Sequence, residues 1–252
     1  ADYARAYREG TADPEAVAEA VLAAIAAGDE GPRPLRAFRA TNRDDLSAQA
    51  RASAERHRAG RPLSLLDGVP VAVKDEVDQV PYTTTVGTRF MGRTPATEDA
   101  TVVARLRAAG ALLIGKTNMH EIGINPDGFN EHYGIIRNPW DLDRHAGGSS
   151  NGSAAAVAAG FCPIAIGADG GGSIRIPAAL TGLVGLKATF GRVSEHGAAP
   201  LTWSMGHLGP IAASVGDAAL TYAVIAGPDA HDPNSLHQPP VSLDGWNNAD
   251  LR

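Results

Sequence analysis

Val17, Val21, Leu22 and Ile25 are spaced three and four apart, which predicts a helix over 14–27. Asp13 can cap it, Pro14 suits its first turn and Gly28 stops it. A second, more polar helix is expected over 42–59, rich in Ala, Arg and Glu and closed by Gly60. The period then shortens. Val69-Pro70-Val71-Ala72-Val73 follows the turn at Leu66-Asp67-Gly68 and reads as an apolar strand ending in Lys74. On it Val69, Val71 and Val73 share one face, while Ala72 and Lys74 share the other.

A helix over 101–109, a stop at Gly110 and a buried strand over 111–116 repeat the alternation of helix and strand. An alanine-rich helix over 153–159 precedes a short strand over 164–167, and a further helix is expected over 216–226. Such alternation predicts an α/β layering. Residues 227–252 are rich in Pro, Asp, Asn and Ser without any period, which predicts a surface linker. The chain has no initiator Met, which suggests processing or an incomplete sequence; no closing element follows this last segment, so a longer protein is expected.

Composition narrows the function classes. At 252 residues and 44% hydrophobic the chain can bury a substantial core. A formal net charge of −6 without a basic stripe argues against nucleic acid as a direct partner. Cys162 is the only cysteine, which precludes an internal disulfide and fits a cytoplasmic location; its apolar surroundings predict a packed, unreactive thiol. The run over 152–168 is too short and too weakly apolar for a membrane span.

Two small-residue loops hold the candidate chemistry. Gly147-Gly148-Ser149-Ser150-Asn151-Gly152-Ser153 is open to three readings: a capped helix start, a phosphate cradle or part of a site. No Gly-Lys-Ser/Thr follows, so a nucleotide P-loop is not supported. Gly148 to Gly152 matches the G-x-S-x-G elbow with Ser150 at its centre, but the polar stretch Asp141-Leu142-Asp143-Arg144-His145 stands where that elbow needs a buried strand. The second loop, Asp169-Gly170-Gly171-Gly172-Ser173-Ile174-Arg175, follows the strand over 164–167. Its glycines can present N–H groups to an oxyanion beside Ser173, and Asp169 can pair with Arg175 to fix the turn. A plain turn with a capping serine is equally consistent with this loop. Lys74 could be a neutral base or a lysine that reaches water, and the strand alone favours the second. His120-Glu121 opens like a zincin helix, but Ile124 stands where the second histidine belongs; no S-x-x-K occurs.

Lys74, Ser149 and Ser173 together resemble the Ser–Ser–Lys triad of the amidase signature family. The flanking residues Gly68 to Asp75, Gly115-Lys116-Thr117-Asn118-Met119, Gly172 to Ala179 and Gly185-Leu186-Lys187 resemble it too. The resemblance implies a twisted mixed sheet flanked by helices, of which this chain would be the N-terminal portion. It implies Ser173 as nucleophile, Ser149 as a bridging serine after a cis peptide bond, and Lys74 as base. Gly170, Gly171 and Gly172, with the Ser173 N–H, would form the oxyanion hole, supported by Ser150, Asp169 and Arg175. Amide hydrolysis through an acyl-serine, without metal or organic cofactor, is the implied activity on a small-molecule amide. The triple glycine, His132-Tyr133-Gly134 and Leu201-Thr202-Trp203 are similar to the plant-type fatty acid amide hydrolase branch, which implies N-acyl amine substrates. Gly170 departs from the many members with a bulkier residue there. Two rival expectations are the amidase subunit of a tRNA-dependent amidotransferase and a non-catalytic fragment. The oligomeric state is open, with a homodimer as one expectation.

Overall fold

A computed structural model describes residues 2–246. The N-terminal part contains α1 (Asp2–Glu9), α2 (Pro14–Gly28), β1 (Phe38–Thr41), α3 (Arg43–Arg58), β2 (Pro70–Lys74), α4 (Thr101–Ala108) and β3 (Leu112–Thr117). Four short strands follow: β4 (Phe129–Asn130), β5 (Gly134–Ile135), β6 (Arg137–Asn138) and β7 (Asp141–His145). The remainder is α5 (Asn151–Ala158), β8 (Ile164–Ala168), α6 (Arg175–Thr181), β9 (Val184–Gly185), β10 (Leu208–Ala212) and α7 (Val215–Ile225).

Capping residues set the helix starts. The Asp13 carboxylate accepts from the N–H groups of Glu15 (2.8 Å) and Ala16 (3.4 Å), a cap worth about 1 kcal/mol. Asn42 accepts from Asp45 N–H (3.1 Å) at the start of α3, and Ser214 does the same for α7.

Six strands form a mixed sheet in the order β1-β3-β2-β8-β10-β9. Strand β2 runs parallel to both β3 and β8, whereas β1, β10 and β9 pair antiparallel. Alternation along the central strands sends side chains into two cores. Ala72, Ala165, Leu112 and Ile114 pack with α2, α3 and α5 residues such as Val21, Leu46 and Ala155. Val71, Val73, Ile164, Ile166 and Leu113 pack with Val103, Leu106 and Ile225 from α4 and α7. The expected division of Val71 and Val73 from Ala72 is therefore present. Helices cover both faces of a mixed α/β sheet, and the central parallel strands are buried along nearly their whole length, as such a layering requires.

The expected polar stretch 141–145 is a strand, but an exposed one in a two-stranded ribbon with β6. It supplies no buried strand for an elbow at Ser150. Cys162 is buried, and burial pushes its thiol up to about 12, as a packed apolar residue requires. Residues 227–246 hold no helix or strand, yet Leu236 N–H donates to Gly191 O (2.9 Å) and Asp232 is buried against the body. The rest of the expected linker, 247–252, lies outside the described residues. Among the described residues no helix is long and apolar enough to cross a membrane.

Candidate active site

The ends of the parallel strands β2 and β8 bring two loops and one lysine together, where open α/β sheets bind ligands. Lys74 is the last residue of β2 and shares the Ala72 face, toward α5. It is 1% exposed, so its head does not reach water. Its Nζ donates to Ser149 Oγ at 2.8 Å and to Ala168 O at 3.4 Å, and lies 3.4 Å from Glu76 Oε2. Burial holds the Lys74 ammonium pKa below its ordinary value, while the carboxylates of Glu76 and Asp169 act in the opposite direction.

Ser149 precedes α5 and is joined to Gly148 by a cis peptide bond. Neither serine of this loop caps the helix with its side chain. Ser150 instead binds strand β8, where its Oγ donates to Ala168 O and accepts from Ala168 N–H, both at 3.2 Å. Gly167 permits that approach, since a Cβ there would lie 2.9 Å from Ser150 Oγ. Ser150 N–H also donates to Ser173 O (3.2 Å), so Ser150 ties the two loops to each other. Further along α5, Ser153 Oγ donates to Ile166 O (3.0 Å) and contacts Thr117 Oγ1 (2.7 Å), anchoring the helix on β8 and β3.

The glycine turn is built around the buried Asp169 carboxylate. Arg175 donates to it twice at 2.9 Å, and the N–H groups of Gly172 (2.6 Å), Ile174 (3.2 Å) and Arg175 (3.4 Å) converge on it. Burial works to raise the Asp169 pKa, but these donors outweigh it and hold the carboxyl below the usual range. The expected Asp169–Arg175 brace is thus formed. Gly172 adopts φ +129°, and its N–H is committed to Asp169. The N–H groups of Gly170, Gly171 and Ser173 have no acceptor among the described residues. Ser173 does not cap α6, whose N-cap position is Ile174, and its hydroxyl has no partner among the described residues.

Lys74, Ser149, Gly170, Gly171 and Ser173 line one cavity of about 370 Å³. Several of its other lining groups carry no signal in sequence periodicity: Glu195, Thr202 and His207 reach it from the segment over 195–208. Glu76 could have been anticipated, because period-two spacing places it on the same side as Lys74. The assembly offers a buried amine in contact with one hydroxyl, a second hydroxyl in the same cavity, and free N–H groups beside it. Such parts serve nucleophilic acyl transfer.

A family model described as Amidase matches residues 17–249. The "Fatty acid amide hydrolase" of Oryza sativa subsp. indica is 45% identical over 243 residues, which are 96% of this chain and 40% of that protein. A glutamyl-tRNA(Gln) amidotransferase subunit from Anaeromyxobacter sp. (strain K) is 48% identical over 221 residues, 88% of this chain and 44% of that protein. Among solved structures, native peptide amidase from Stenotrophomonas maltophilia aligns with a TM-score of 0.90 at 37% identity, covering 96% of this chain and 50% of that one. The chain therefore spans half or less of the length of the relatives it matches here.

Proposed function

The chain belongs to the amidase signature family, and from that premise we propose that its protein hydrolyses a carboxylic amide through an acyl-Ser173 intermediate. The observation that carries this reading is the 2.8 Å contact of Lys74 Nζ with Ser149 Oγ, in a cavity that Ser173 also lines. Desolvation favours the neutral amine of Lys74, which takes a proton from Ser149 Oγ. Ser149 in turn takes the proton of Ser173 Oγ, and that oxygen attacks the amide carbon.

The N–H groups of Gly170, Gly171 and Ser173 receive the negative oxygen that forms. Each donor contributes about 3 kcal/mol of barrier lowering in comparable sites. Gly172 has a different part in this scheme, since its N–H helps Asp169 shape the turn. The relayed proton passes to the amide nitrogen, the C–N bond breaks and the amine leaves. Water then adds to the acyl ester, the acid departs and Ser173 recovers its proton.

The relatives named fatty acid amide hydrolase support an N-acyl amine as substrate. A second reading is the amidase subunit of a tRNA-dependent amidotransferase, favoured by a relative of that kind at 48% identity. A co-purifying second protein, needed for glutamine hydrolysis, would select it. The direct test of amide hydrolysis is Ser173→Ala in the full-length protein. Turnover is expected to disappear while the far-UV circular dichroism is kept, and retained turnover refutes the nucleophile.

A further inference from the structure

Three polar groups that line the cavity, the Glu195 carboxyl, Thr202 Oγ1 and His207 Nε2, have no role in the triad chemistry and no partner among the described residues. Glu195 lines the cavity, and no hydrogen bond or ion pair involves its carboxyl among those residues. Thr202 Oγ1 is buried without a partner. His207, 7% exposed, also lines the cavity, and its Nε2 is buried without a partner. Buried polar atoms are nearly always satisfied, so unsatisfied ones at a cavity wall mark where a ligand atom belongs.

Their donor and acceptor character can be assigned. His207 Nδ1 lies 2.7 Å from Met205 O, and a carbonyl can only accept, so Nδ1 carries the hydrogen. Burial lowers the His207 pKa and, with Lys187 and Arg175, outweighs the Met205 carbonyl and Asp169, which act in the opposite direction; the neutral ring is favoured. Nε2 is therefore a lone-pair acceptor. Glu195 offers two further acceptor oxygens, and the Thr202 hydroxyl can accept as well. Among the described residues no arginine lines the cavity; its only lysine is Lys74, already in contact with Ser149 and Glu76. The wall thus has acceptors in excess and no uncommitted cation to receive a substrate carboxylate.

The backbone holds this wall in place. Glu195 N–H donates to Asp232 Oδ2 (2.8 Å), Ala199 N–H donates to Glu76 O (2.8 Å), and Thr202 O accepts from Met205 (3.1 Å) and Gly206 (2.7 Å). Burial, Asp232 and Glu76 together raise the Glu195 pKa to about 7, the condition of a carboxyl that lacks a cationic partner. Gly170 completes the arrangement, because a Cβ at that position would stand 2.8 Å from Thr202 Oγ1 and close the gap between the wall and the glycine turn.

We propose that Glu195, His207 Nε2 and Thr202 Oγ1 form a specificity subsite for a cationic, N–H-donating group of the substrate, an ammonium carried on either arm of the amide. This deepens the amide-hydrolase reading and rests on it. The apolar lining from Ile124, Ile176, Leu201 and Leu208 accommodates the hydrocarbon between that ammonium and the amide.

Calorimetric titration of the full-length Ser173→Ala protein at pH 8 tests the subsite without turnover, using 4-aminobutanamide and its uncharged near-isostere pentanamide. The cationic amide is expected to bind at least about tenfold more tightly, the range for a charge-assisted hydrogen bond. Adding Glu195→Gln is expected to remove most of that preference while pentanamide affinity is kept. Equal affinities, tighter binding of pentanamide, no binding of either amide, or a preference that survives Glu195→Gln overturns the proposal. Should Glu195→Gln also weaken pentanamide, His207→Phe decides: a reduced preference supports the subsite and an unchanged one overturns it. Amide hydrolysis persisting in Ser173→Ala would instead sink the nucleophile assignment and leave the binding preference to stand or fall alone.

Discussion

Two lysines stand side by side at the ends of neighbouring parallel strands, and only one of them meets a hydroxyl at a cavity. Lys74 on β2 and Lys116 on β3 are both buried, and burial lowers both pKa values, that of Lys116 to about 8. Lys116 is enclosed by fixed partners. Its amine contacts Val77 O, donates to Thr84 Oγ1 (3.0 Å) and lies 3.8 Å from Asp75 Oδ1. Asp75 also accepts from Thr85 and pairs with Arg39 at 2.8 Å, an ion pair too oblique to count as a hydrogen bond. Lys74 has Ser149, Glu76 and an open cavity instead. Desolvation makes an amine capable of basicity at neutral pH, but a reacting partner and access decide whether that capacity is used.

The largest effect expected from breaking this contrast is on rate. Lys74→Met in the full-length protein should lower amide hydrolysis by about 10³-fold, the scale of a lost general base, while the far-UV circular dichroism is kept. Activity within a few-fold of wild type would remove Lys74 from the chemistry. Lys116→Met should act on stability, since it leaves Asp75 buried with one cation fewer. A loss of about 3 kcal/mol in urea denaturation is expected. An unchanged midpoint accompanied by lost turnover would reverse the roles assigned to the two lysines.

A finer test alters only the Lys74 environment. The Glu76 carboxylate favours the charged amine, so Glu76→Gln should lower the Lys74 pKa further. The neutral fraction then rises at a given pH, and the acid limb of kcat/KM should move to lower pH. A limb that stays in place, or moves upward, would show that another group titrates.

Much of this contrast could be read from residues alone, and some of it could not. Asp13, Asn42 and the alternating valines of β2 act through neighbours a few positions away, so spacing revealed them. The two serine loops and Lys74 were visible as a set only through family resemblance, because their contacts span 75 residues of chain. Strand β10 was missed. It lies between β8 and β9, yet Gly209 and Pro210 interrupt its apolar run as a turn would. Helix α6 was missed for a similar reason, with Pro177 at its third residue. Lys74 itself shows what tertiary context adds: its strand alone favoured a lysine reaching water, and the overlying loops close that route. Glu195 and His207 reach the cavity from a segment without periodicity, so only the folded chain brings them to the cavity that Ser173 lines.

Covalent labelling of the full-length protein tests the central claim most directly. A fluorophosphonate, which activated serines attack at phosphorus, should add to the protein, and peptide mapping by mass spectrometry should place the adduct on Ser173. Labelling should slow by about two orders of magnitude or more in Lys74→Met. An adduct on Ser149 or Ser150, or a labelling rate indifferent to Lys74, would contradict the account.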